Sequence, residues 1–381
     1  MESRDKMKKI ILSIVVIILI GSIITIGFGF KLNKEDNPVH IKTYVDGVLA
    51  AAPPASTDGY KVSNITCTNN ATGEFNYSTW RLEVSNITSN TTCTIEFTSN
   101  DNETFANYLI SKACSGTPTS DDAAKDCLVN ENGYRYEGKN PNNYVLFNDE
   151  LWRVIGVFNV KTSSGSTENL VKLIRNETLD GLAWHSSGNN NWKTSTLQSQ
   201  LNNGYLDGSD STCNFYQANT KTCYFSQSGI KDTARGMIES VVWNLGGHST
   251  TSVTAEAFYN AERGTTVSSG RPKEWTGKVG LMYPSDYGYA VLASSCARTT
   301  NLSSYSSTSC AGNNWLKTDS YQWTLTPSSS SSHSVFGVSL SGSMGNSNTD
   351  FGNGVRPSIY LKSNIAIMGG SGSYDDPYLL S

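Results

Sequence analysis

The hydrophobic pattern changes character along the chain, and each change predicts a different element. Residues Ile10 to Phe30 form an uncharged run dense in Ile, Val and Leu. Its 21 residues suit a membrane-spanning helix at about 1.5 Å rise per residue. Arg4, Lys6, Lys8 and Lys9 lie just before it, in a basic tail over 1–9. The positive-inside tendency then predicts a single-pass plasma-membrane protein with a cytoplasmic N-terminus and an extracellular remainder. A cleaved secretory signal is the alternative, although no clean small-residue cleavage site follows.

From 38 to 100 the period shortens to two. HIKTYVDGVLA carries an Asp46-Gly47 turn, and TTCTIEFTS (91–99) puts Ile95 and Phe97 on one face. YKVSNITC (60–67) and WRLEVS (80–85) supply middle strands, so 38–100 reads as a small all-β domain. Residues 101–132 read as a helical linker. FANYLISKA groups Phe105, Tyr108 and Leu109 behind an Asp101 or Asn102 cap, and Thr119 or Ser120 opens a second turn. The head domain, 133–381, opens with strands Tyr144–Phe147 and Leu151–Val157 around Asn148-Asp149, a good hairpin pair. Another strand follows at VKLIRNE (171–177). Helical spacing then runs through TSTLQSQLNN, IKDTARGMIESVVWNLGG and TAEAFYNAERG, the last capped by Thr254, and a Ser285-capped turn or helix follows. From Trp315 the text is β and loop. Strands, then helices, then strands predict an α+β class with helices grouped on an antiparallel sheet.

Composition narrows the function classes. The net charge is -4, and no basic run lies beyond the first residues, so nucleic acid is not an expected partner. All eight cysteines follow the apolar run. An even set of this kind reads as disulfides in an oxidising compartment. Pairing sequence neighbours gives Cys67–Cys93, Cys114–Cys127, Cys213–Cys223 and Cys296–Cys310. Zinc is the alternative, but C-x-x-C is absent and the histidines are scattered.

Signals for catalysis are sparse. No G-x-S-x-G elbow occurs. An enzyme would have to use His185 or His248 as a base, and no catalytic residue, cofactor or metal site is assigned. LDGSDS (206–211) and Asp375-Asp376 offer oxygen ligands without full calcium-loop spacing. Asn189-Asn190-Asn191-Trp192 and Asn313-Asn314-Trp315 set aromatics beside amides, which suits sugar faces and hydroxyls as well as plain loop packing.

The motifs LWRVIG (151–156), VKLIR (171–175), GLMYPSDYGYA (280–290), WTLTP (323–327) and GVRPSIYLKSNI (354–365), followed by GSYDDPY, form a set. Together they resemble an uncharacterised domain family of Gram-positive gut-type bacterial surface proteins. That family is distantly similar to the C-type-lectin-like fold shared with formylglycine-generating enzymes. The resemblance implies a C-type-lectin-like α+β head, with Trp152, Trp323, Gly354, Arg356 and Pro357 as fold-defining positions. It suggests an Arg356–Asp286 ion pair. It implies binding over catalysis, because Cys296 and Cys310 are too far apart to read as the enzymes' reactive pair. The expected function is a membrane-anchored binding or display protein for a glycan, a protein or a surface polymer. A structural envelope role and an extracellular enzyme are the alternatives. The Ser-, Gly- and Asn-rich stretch Ser328–Asn353 is the expected binding loop. Candidate binding residues are Trp192, Trp315, Trp323, Asn346, Asn348 and Asn353.

Overall fold

The structure is a computed structural model, and it describes residues 38–55, 60–77, 79–99 and 103–381. The expected tail over 1–9 and transmembrane helix over 10–30 lie outside these residues. Among the described residues no helix is long and apolar enough to cross a membrane. The helix Ala255–Glu262 has eight residues and rises about 12 Å, against a hydrocarbon core of about 30 Å. The expectation of a spanning helix, and with it of a single-pass plasma-membrane location, is corrected to this finding: the described residues hold no helix able to span a membrane.

The α+β class is corrected as well. The described residues are mostly β, with 37% in strand and 18% in helix. The segment 230–247 shows why. A helix occupies only Asp232–Met237, and Val241–Asn244 is a strand. Val241, Val242 and Trp243 are β-branched or aromatic and prefer a pleated surface.

The described chain divides into two units. The smaller holds the residues up to Glu103, with Ala366–Gly369 and Leu379–Ser381. Its four-stranded sheet runs in the order Val48–Ala50, Val39–Val45, Thr91–Ser99, Tyr60–Cys67. Thr91–Ser99 buries every second residue, so Cys93, Ile95 and Phe97 form the core with Leu82. Phe75 meets Tyr77, Trp80 and Phe97 edge-on at 5.0–5.5 Å. Asp46 and Gly47 both take positive φ, as a tight hairpin turn requires. Cys67 and Cys93 stand opposite each other across an antiparallel pair and are bonded. A core this small leans on its crosslink. Replacing both cysteines by serine is expected to lower the stability of this unit by about 3 kcal/mol, read by chemical denaturation. No change in midpoint would contradict it.

The larger unit holds Thr104–Ile365 and Gly370–Tyr378. Helix Phe105–Ser111 is capped by the Thr104 hydroxyl. The main sheet is built on a long hairpin, Glu150–Lys161 with Thr167–Arg175. Ser358–Tyr360 and Val279–Gly280 extend one side, and Tyr134–Arg135 with Val129–Asn130 the other. Asn148 and Asp149 form the tight turn between Tyr144–Phe147 and Glu150–Lys161, both at φ 59°. Gly156 sits at a bulge, where a Cβ would lie 2.1 Å from the Tyr134 carbonyl oxygen.

A second sheet orders Leu179–Ala183, Gly352–Val355, Gln322–Pro327, Ser334–Val338 and Met344–Asn348. The stretch 328–353 is therefore not an open loop. Val335, Phe336, Val338 and Met344 are buried and draw it into the sheet. The remaining disulfides join Cys114 to Cys127, Cys213 to Cys223 and Cys296 to Cys310. Trp152 and Arg356 are buried, and Pro357 lies in the same buried run. Gly354 passes so close to Tyr321 that a Cβ would meet its carbonyl oxygen at 2.7 Å.

Candidate binding pocket

The tryptophans expected at a binding surface are interior. Trp192, Trp315 and Trp323 are 1%, 5% and 1% exposed. The Trp315 indole donates to the Tyr136 carbonyl and the Trp323 indole to the Leu182 carbonyl, both at 2.8 Å. The amide-rich neighbours that suggested a sugar site are packing partners instead. Asn190 donates to the Ser328, Ser331 and Ser334 carbonyls, and Asn314 to the Tyr287 carbonyl. Asn346 and Asn348 are exposed on the edge strand Met344–Asn348, and Asn353 is half-buried on Gly352–Val355. Phe351 and Tyr216 form an exposed ring pair beside Asn348, at 5.4 Å. His185 contacts Ser187 and Asn189, at 3.2 Å and 3.1 Å, and burial holds it below its ordinary pKa. His248 packs near Phe258 at 6.0 Å. Among the described residues no group of three His, Cys, Asp or Glu side chains could hold a metal ion.

A concave site lies elsewhere in the larger unit. It is a pocket of about 280 Å³. Phe158, Asn159, Val160 and Lys161 come from the long hairpin, and Asn132 and Gly133 from the turn before Tyr134. The strand Val241–Asn244 alternates, burying Val241 and Trp243 and turning Val242 and Asn244 to the pocket. Helix Ala255–Glu262, capped by the Thr254 hydroxyl, contributes Tyr259, and Arg263 follows at its end. Glu274, Tyr283 and Tyr360 complete the lining.

A buried ionic layer lies behind these rings. Asp286 accepts Arg135 Nη1 at 2.9 Å, Lys172 Nζ at 2.6 Å and the Tyr283 amide at 2.9 Å. The three charged side chains are 0–2% exposed. The suggested Arg356–Asp286 pair is thus corrected. Arg356 instead donates to the Arg175 and Leu316 carbonyls and to Gln322. Burial pushes the Asp286 carboxyl up, but Lys172 and Arg135 outweigh it and hold it at about 2. Lys172 Nζ also faces the Tyr283, Trp243 and Tyr360 rings at 4.2, 5.2 and 5.6 Å. The Arg135 guanidinium lies 4.5 Å from the Phe158 ring. Cations therefore fix three aromatic walls from behind.

A second buried carboxylate joins them. Glu262 accepts the Ser285 amide at 2.9 Å and the Ser285 hydroxyl, and meets Arg263 Nη1 at 3.1 Å. Burial raises it to about 7, against the opposing pull of Arg263 and Ser285.

Two polar groups of the lining are left open. Tyr360 is 5% exposed, and its hydroxyl has no hydrogen-bond partner among the described residues. Arg263 uses Nη1 for Glu262 and the Tyr259 carbonyl, while Nε and Nη2 are unpaired among the described residues. Sequence reasoning missed these residues because reading 230–247 as one helix hid the alternation of VVWN. Arg263 carries only a helix-end signal, and Tyr360 lies inside GVRPSIYLKSNI (354–365), where strand alternation alone does not mark a pocket wall. Comparison with known proteins finds no matching family model, no matching curated protein and no matching solved structure.

Proposed function

We propose that the chain is a binding module and that this pocket holds one polar unit, such as a sugar residue of a glycan or surface polymer. The observation that carries the reading is a concave pocket walled by rings and amides, into which the Tyr360 hydroxyl opens without a hydrogen-bond partner among the described residues. A hydroxyl that no protein group engages is free to exchange water for a ligand's hydrogen bond. The volume lies at the small end of ligand sites, which run from about 300 Å³ upward, so it suits a single ring. Phe158, Tyr283 and Tyr360 line it with aromatic rings, and Asn132, Asn159 and Asn244 line it with amides, of which the first two also donate to Tyr289 and Asn169. The resemblance to surface-protein domains points the same way. Four disulfides suit an oxidising setting, where surface polymers are met.

The test is an array of glycans, cell-wall polymers and proteins probed with the full chain. Saturable binding to a glycan or polymer class is expected. Binding to no class would overturn the reading.

A further inference from the structure

We infer that the unit held in the pocket is acidic, with a carboxylate gripped side-on by the Nε–Nη2 edge of Arg263. The inference rests on the ligand-binding reading and adds the chemical class. Arg263 is a prepared anion receptor by three separate features. Its guanidinium stacks on the Tyr259 ring at 3.6 Å and lies 5.5 Å from the Tyr283 ring, so its plane is fixed. Its Nη1 is anchored by the Tyr259 carbonyl at 3.2 Å and by Glu262 at 3.1 Å. Its side chain lines the pocket and is 28% exposed, with Nε and Nη2 unpaired among the described residues. An edge of two parallel N–H donors matches the two oxygens of a carboxylate, and holding it in place beforehand lowers the entropy lost on binding.

The charges around the pocket favour an anion. Arg263 and Lys161 stand in the lining against Glu274, and Arg135 and Lys172 stand behind it against Asp286. With Glu262 included, four cations face three carboxylates. Glu262 is fully buried, so its charge is the weakest of the three at neutral pH and below. A neutral sugar would leave the Arg263 edge without an acceptor. A uronic-type sugar would fill it while its ring met the tyrosines and its hydroxyls met the amides.

The test uses uronate-containing oligosaccharides, each presented beside its carboxyl-reduced counterpart, with the full chain. The acidic member is expected to bind at least about tenfold more tightly, as suits a charge-assisted bidentate contact. Arg263→Gln is expected to bring both members to the same affinity, and Arg263→Lys, which keeps the charge but lacks the fork, to fall between. Equal binding of the two forms by the unaltered chain overturns the inference while leaving the ligand-binding reading standing. A preference for the acid that survives in Arg263→Gln overturns it too. Binding of neither member of any pair removes the reading and the inference together.

Discussion

Asp286→Ala is expected to destabilise the larger unit by about 3–5 kcal/mol, or to leave it unfolded. The reason is the pair of cations it would abandon. Arg135 and Lys172 are 1% and 0% exposed and share Asp286 as their carboxylate partner. The aromatic rings around Lys172 attract its charge but accept no strong hydrogen bond in place of a carboxylate oxygen. Leaving a buried charge unpaired costs far more than an intact pair contributes. Asp286 also accepts the Tyr283 amide, so the substitution disturbs the pocket wall. Replacing Lys172 by Met in the Asp286→Ala background removes one stranded charge and is expected to recover part of the loss. Denaturant titration of the single and double variants reads both effects. A loss under about 1 kcal/mol in the single variant would contradict the ionic account.

The second large effect is on pH dependence. Burial raises Glu137 to about 8 and Glu262 to about 7, from an ordinary value of 4.5. A raised carboxyl is protonated in the folded state where it is already ionised in the unfolded chain. Folding therefore binds protons between about pH 4.5 and 8, and stability falls as pH rises through that window. Each group contributes a loss on the order of 3 kcal/mol. Glu137 Oε1 has no hydrogen-bond partner among the described residues, which adds to the cost of its ionised form. Asp286 acts in the opposite sense. Its folded value of about 2 lies below the ordinary 3.8, so its contribution is present above that value and lost as pH falls through about 2. The larger unit is thus expected to melt highest near pH 5 and distinctly lower near pH 8.5. Glu137→Gln with Glu262→Gln is expected to flatten the alkaline side. A melting temperature that rises from pH 5 to pH 8.5 in the unaltered chain would contradict this.

Local signals were legible wherever a residue's own chemistry decided the structure. Asn148-Asp149 and Asp46-Gly47 marked tight turns because these residues tolerate positive φ. Thr254 marked a helix start through its hydroxyl. Short spacings marked the disulfides, since neighbouring cysteines close small loops. Non-local pairing was the harder part. Asp286 had two sequence-distant cations as partners, Arg135 and Lys172, and nothing in their spacing distinguished them from Arg356. The tryptophan and amide clusters had the composition of a binding surface, yet Trp192 packs against Trp184 at 5.0 Å inside the unit. Composition does not say which face is wet. The pocket draws on residues from Asn132 to Tyr360, so it exists only once the strands are in place.

The proposed ligand site is the pocket. Asn159 lines the pocket from the exposed end of the long hairpin, its amide donating to Asn169 at 3.3 Å, so a large side chain there adds bulk beside the pocket and not in the core. The most direct measurement compares the unaltered full chain with Asn159→Trp on the same glycan and polymer array, with melting temperature recorded for both. Equal melting temperatures and loss of most glycan or polymer binding are expected in Asn159→Trp. Undiminished binding in Asn159→Trp would contradict the proposed site.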